Sequence, residues 1–225
     1  MSFVLFVING AFSQQQSVVD MQSGRTLDLP LKPPGTEGTV YLNEEWRDAR
    51  IFLMPRPGLS SEVVLEVPIK LDLKANLIEI NSDQGIKILK GAGVCRFEWT
   101  DQGTRKDGVF RNCADFKFEN EPLQGFCQIL SDGKMTLVVN HYIEVLKASY
   151  NVALDVGNSN NTLLKKERLY LVIDEKLIEA DKGSLISHMA DKEDKVKAYT
   201  KKKRLKLKRK DDIRELVDYY NVISK

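Results

Sequence analysis

Between Val63 and Lys74 the chain alternates without a break. Val63, Leu65, Val67, Ile69, Leu71 and Leu73 fall on one side, and Val64, Glu66, Pro68, Lys70, Asp72 and Lys74 on the other. A period of two sends successive side chains to opposite faces, so this stretch reads as a strand with one buried and one wet face. That pattern is typical of antiparallel sheets. Pro68 has no N–H to give to a ladder, which places the strand at an edge or at a bulge.

Further short apolar runs follow, each closed by turn residues: "NLIEI", "GIKILK", "GVCRFEW", "GVFRN…FKF", "GFCQIL", "KMTLVVNHYIEVL" and "ERLYLVI". In "ILSDGKMTLVV", Asp132-Gly133 sits between two such runs and predicts a tight hairpin of type I′, which needs positive φ at both central residues. Strands this closely spaced, with no helical pattern between them, imply a meander. The expected fold class is therefore α+β: an antiparallel β-meander, as a curved sheet or partial barrel, followed by a C-terminal two-helix unit. The boundaries read as a signal peptide at 1–13, a flexible lead-in at 14–38, an antiparallel β domain at 39–180 and a helical pair at 181–225.

Near Asp181 the period changes. "GSLISHMADKEDKVKAYTKKK" and "KDDIRELVDYYNVISK" read as two helices. In the second, Ile213, Leu216, Val217, Tyr220 and Ile223 form one apolar stripe, and Asp212 with Glu215 has capping-box spacing. In the first, Asp191 can cap a turn whose inner face carries Val196 and Tyr199. Between them lies "KKKRLKLKRK", eight basic residues in ten. Lys201 to Arg204 would complement the negative end of the first helix, and Leu205 and Leu207 would face inward from an extended connection. From Asp181 onward there are 14 Lys/Arg against 8 Asp/Glu, and before it 20 against 24. A basic tail on a slightly acidic body suits an anionic partner, or docking of the tail on its own body. Nucleic acid is not expected, because no aromatic residues or groove-reading helix accompany the run.

Ser2 to Phe12 is an apolar run of signal-peptide length, and Ala11-Phe12-Ser13 supplies small residues at the positions a cleavage site needs. A positively charged leading segment is missing, which leaves the true start of translation open. Export to the periplasm or cell envelope is the expectation, with no transmembrane segment in the mature chain. The three cysteines, Cys95, Cys113 and Cys127, are an odd number for a disulfide framework. By strand phase Cys95 shares the buried face of Phe97 and Trp99, whereas Cys113 points outward, so three free thiols are expected.

No constellation for catalysis emerges. His141 and His188 are the only histidines, and no metal-ligand spacing, P-loop, nucleophile elbow or dinucleotide fingerprint is present. No cofactor is expected. Glu44-Glu45, set between Tyr41 and Trp46 as at the rim of a site, would suit glycoside chemistry only if two acids were held apart across a cleft.

"GTVYLNEEW", "PIKLDLKANLIEI", "GFCQILSDGKMTLV" and "DKEDKVKAYTKKKRLKLKRKDDIRELVDYYN" occur in that order, after "AFSQQQ". From about Thr36 onward they resemble a family of exported proteins widespread in Bacteroidota-type bacteria, for which no activity is established. The resemblance implies envelope localisation and a sheet followed by two helices; it implies no catalytic residue. The functional expectation is a non-enzymatic envelope protein, a protein-interaction or assembly subunit. Its contacts with an envelope protein or anionic envelope surface would run through Tyr41, Trp46, Lys201, Lys202, Lys203, Arg204, Lys206 and Lys208. The alternatives are a periplasmic carrier of a lipid or small apolar ligand, and an enzyme acting on cell-wall glycans through Glu44 or Glu45.

Overall fold

The computed structural model describes residues 17–19, 26–28, 35–55, 64–101, 105–118, 123–149 and 160–225. The proposed signal peptide lies outside the described residues. Within the lead-in, expected to lack regular structure, the described residues form short strands. β1 (Ser17–Val19) and β2 (Thr26–Asp28) pair antiparallel, and β3 (Thr36–Glu37) runs parallel to a strand more than a hundred residues later.

The body is a curved, unclosed antiparallel sheet, as the alternating strands require. Its strands are β4 (Arg47–Leu53), β5 (Val64–Asp72), β6 (Leu77–Ser82), β7 (Gly85–Lys90), β8 (Val94–Asp101), β9 (Arg105–Asn112), β10 (Phe126–Ser131), β11 (Thr136–Leu146), β12 (Asn161–Ile173) and β13 (Lys176–Glu179). They lie in the order β13-β12-β11-β10-β9-β8-β4-β5-β6-β7, and β3 joins the end of β12. Of the predicted inner residues, Leu65, Val67, Ile69 and Leu71 in β5 and Leu73 just after it pack into one apolar cluster, Val63 lies outside the described residues, and Val64 is exposed. β5 is an interior strand only in part. Its ladder with β6 ends at Ile69–Ile80, so Pro68, which pairs with Asp48 of β4, lies just where β5 becomes an edge on its other side.

That cluster has an aromatic centre. Phe97 stacks on Phe110 with ring centroids 4.5 Å apart, and Trp99 and Phe126 close around them edge-on or tilted. The segment from β3 to Leu42 crosses from β12 to β5: Asn161 N–H donates to Gly35, Leu42 N–H to Leu71, and Leu73 N–H to Val40. Gly38 permits the crossing, since a Cβ there would stand 2.6 Å from the Leu163 carbonyl oxygen.

At the C-terminal end of the sheet both faces are covered. Leu137, Leu169, Leu171 and Ile173 meet the helices on one face, while Val138, Tyr170 and Val172 meet the chain after β9 on the other. This second cover overturns the expected phase of Cys113. A tight turn at Cys113–Asp115 breaks the alternation and sends Cys113 inward, where it forms a disulfide with Cys127 at a Cα–Cα distance of 5.5 Å. The three-free-thiol expectation fails for that reason. Beyond the turn, Phe116 and Phe118 lie over Tyr170, and Lys117 pairs with β13 through Lys117 N–H to Glu175 and Leu177 N–H to Lys117. Cys95, expected in the core, is half-buried where the β4–β8 register shifts.

The first predicted helix is two. α1 (Lys182–His188) is capped by Asp181, whose carboxylate accepts the Ser184 N–H, and a short turn separates it from α2 (Glu193–Lys203). α3 (Lys210–Ile223) buries Ile213, Leu216, Val217 and Tyr220 of the predicted stripe; each such side chain contributes about 1.5–3 kcal/mol. Asp191 and Asp212 do not act as expected. Asp191 accepts the Tyr220 hydroxyl and the Lys134 ammonium, each at 2.9 Å, and Asp212 reaches back to the Lys206 N–H at 2.7 Å.

Candidate functional site: a basic corner and a polar cleft

The predicted contact residues separate into two groups. Lys201, Lys202, Lys203, Arg204, Lys206 and Lys208 all lie at the corner where α2 turns into α3, and all are exposed. The corner is held rigidly by its backbone. Arg204 adopts the left-handed conformation (φ 56°) that ends a helix, and the Leu205 N–H donates to the Thr200 carbonyl at 3.0 Å. Leu205 and Leu207 pack into the helix–sheet core, as expected. Their connection is a hydrogen-bonded turn, in which Lys208 N–H and Arg209 N–H both donate to the Lys206 carbonyl.

Two cations of the run are neutralised locally. Lys203 pairs with Glu215 at 3.4 Å, and Lys210 grips both oxygens of Glu167 on β12 at 2.8 and 2.6 Å. The other six, Lys201, Lys202, Arg204, Lys206, Lys208 and Arg209, form no ion pair among the described residues. Only the last turn of a helix gains from cations at its carbonyl end. The charges beyond Arg204 have no such role.

Tyr41 and Trp46 lie in the other group. The Tyr41 hydroxyl donates to the buried Glu79 carboxylate at 2.7 Å, and burial together with that carboxylate holds the phenol protonated far above its ordinary range. The Lys70 ammonium stands 5.4 Å from the Tyr41 ring and 4.8 Å from the Trp46 ring. Tyr41 is thus occupied internally. Trp46 is half-buried and lines an open cleft of about 690 Å³ with Asn43, Glu44, Glu45 and Asp48. Leu42, Arg47, Lys165 of β12 and Thr100 of β8 complete the lining, and Lys165 reaches the Leu42 carbonyl at 3.4 Å. All three acids of this cleft come from the single segment 44–48, so among its lining residues no carboxylate faces them from another strand.

The two groups meet along β12. Lys165 lines the cleft, and Glu167, two residues and about 7 Å further along the strand, anchors the first residue of α3. Opposite Glu167 on the neighbouring strand β11 stands His141, whose Nε2 is 3.0 Å from Gln128 Oε1 and whose Nδ1 is 3.5 Å from Glu167. Burial lowers its pKa; the nearby Lys210 adds to this and Glu167 opposes it. Sequence reasoning missed Lys165, Thr100, Lys70 and Glu79, because only long-range pairing brings them beside the 41–48 segment. A charged residue on the wet face of an alternating strand carries no signal of its neighbour.

Among the described residues no group of three or more His, Cys, Asp or Glu could hold a metal, and no helix is long and apolar enough to cross a membrane. Comparison with protein-family models, curated proteins and solved structures returns no match.

Proposed function

We propose that this chain is a non-enzymatic exported envelope protein that docks on the acidic surface of a partner protein through the α2–α3 corner. The observation that carries the reading is the set of six cations fanned from one rigid turn, none of them neutralised by a carboxylate among the described residues. Charge of one sign on a preorganised surface steers encounter with a complementary surface and fixes its orientation. A protein partner is favoured over a lipid surface because both leucines of the run point inward, leaving no apolar residue there to enter a bilayer. Export is supported by the Cys113–Cys127 disulfide, since such bonds persist in oxidising compartments.

The test is affinity capture from crosslinked cells with the tagged full chain and with Lys201, Lys202, Arg204 and Lys208 all changed to Glu. Lys203 is left in place because it holds Glu215. A partner present with wild type and lost with the variant supports the proposal. A partner retained by the variant contradicts it.

A further inference from the structure

The cleft beside Trp46 has a different character from the basic corner. The segment that leads into it is fixed by the bonds from Leu42 N–H to the Leu71 carbonyl and from Leu73 N–H to the Val40 carbonyl, and Lys165 ties across to the Leu42 carbonyl, so it is formed before any ligand arrives. The side chains of Asn43, Glu44, Glu45 and Asp48 make no hydrogen bond or ion pair among the described residues, although they ring a space of about 690 Å³. Ligand sites commonly occupy roughly 300–1,000 Å³.

The lining selects a chemical class. Three carboxylates repel a polyanion, and Arg47 and Lys165 at the same cleft disfavour a polycation. Planar acceptors and donors in close succession suit pairs of hydroxyl groups, each of which both gives and takes a hydrogen bond. The Lys70 ammonium stands over the Trp46 ring at 4.8 Å, and the part of the ring that lines the cleft adds an aromatic surface that attracts the C–H bonds of a pyranose ring. From these features we infer that the cleft between the 42–48 segment, Thr100 and Lys165 is a binding site for a neutral oligosaccharide, with Trp46 as its platform. The carboxylates act as hydroxyl acceptors and perform no bond cleavage. The site shares no residue with the docking corner, so either assignment can fail without the other.

The experiment is calorimetric titration of the full chain with chitotetraose, maltotetraose, cellotetraose and mannotetraose, with tetragalacturonate as the anionic control. At least one neutral tetrasaccharide should bind, with tetragalacturonate weaker by about tenfold or more. Trp46→Ala should lose about tenfold or more in affinity, and Trp46→Phe should retain most of it. Asp48→Asn keeps an acceptor and should change binding less than Asp48→Ala. Of the two tryptophans, Trp99 is buried, so a ligand-induced change in emission should vanish in Trp46→Phe. Absence of binding to all four neutral sugars, binding indifferent to Trp46→Ala in a folded variant, or preference for tetragalacturonate would each overturn the assignment.

Discussion

The side chain of Asn221 and the backbone of Met135 exchange two hydrogen bonds across the helix–sheet seam. Met135 N–H donates to Asn221 Oδ1 at 2.9 Å, and Asn221 Nδ2 donates to the Met135 carbonyl at 2.8 Å. Both residues are buried, so the amide stands in for a strand at the point where the sheet gives way to α3. Gly133 allows the approach, because a Cβ there would lie 2.7 Å from Asn221 Cγ. Asn221→Leu strands two buried backbone groups and should cost about 2–4 kcal/mol in denaturant unfolding. Gly133→Ala should cost about 1–3 kcal/mol through crowding. A wild-type midpoint for Asn221→Leu would show that the seam is held by apolar packing alone.

The hairpin expected at Asp132-Gly133 forms, between β10 and β11, but not on a two-residue I′ turn; that geometry occurs at Asp174-Glu175, where φ is 49° and 65° between the paired Ile173 and Lys176. Asp132 is not among the residues of positive φ, and the β10–β11 register shifts before the turn. Glu175 holds a conformation that costs a residue with a Cβ roughly 1–2 kcal/mol. Its ion pair with Lys117 is between side chains more than 70% exposed, where such pairs contribute little. Glu175→Gly should therefore stabilise the protein by about 0.5–1 kcal/mol, read as a raised unfolding midpoint.

The Cys113–Cys127 bond ties the chain after β9 across one face of the sheet. Changing both cysteines to Ser should lower stability by about 2–4 kcal/mol. Reductant should lower the wild-type midpoint toward that of the double variant and leave the variant unmoved.

His141 sets a pH dependence with a definite sign. Its folded pKa lies below the ordinary 6.5, chiefly through burial. As pH falls through 6.5 the unfolded chain takes up a proton that the folded chain resists, so stability is lost in that direction. Denaturant midpoints should fall between about pH 7.5 and 5.5, and His141→Gln should flatten that window. Asp191 acts in a separate window: its hydrogen bonds from Lys134 and Tyr220 depress its carboxyl, so its contribution is present above the ordinary carboxylate range and disappears on further acidification.

The alternation of β5 and the stripe of α3 were legible because each has one apolar face against one core. Legibility ended where the sheet is covered twice. On β11, Leu137 faces the helices and Val138 the disulfide-tied segment, so apolar residues follow one another and the pattern no longer separates core from solvent. The inward turn of Cys113 belongs to the same region. The basic corner was visible as composition, and the inward Leu205 and Leu207 as phase. Which cations are neutralised was not visible, because Glu167 and Glu215 reach Lys210 and Lys203 only through tertiary packing. The cleft was half-visible in "YLNEEW", whereas its far wall at Thr100 and Lys165 depends on strand order.

The docking corner is tested most directly by a charge-matched comparison in crosslinked cells. One variant carries Glu at Lys201, Lys202, Arg204 and Lys208; a second carries Glu at the exposed Lys74, Lys176, Lys182 and Lys195. A neutral version of the first, with Gln at the same positions, guards against helix-end destabilisation. The account predicts that the partner is lost from the first variant, weakened in the neutral one and kept by the second. Equal loss from both Glu variants, or retention by both, would contradict docking at this corner.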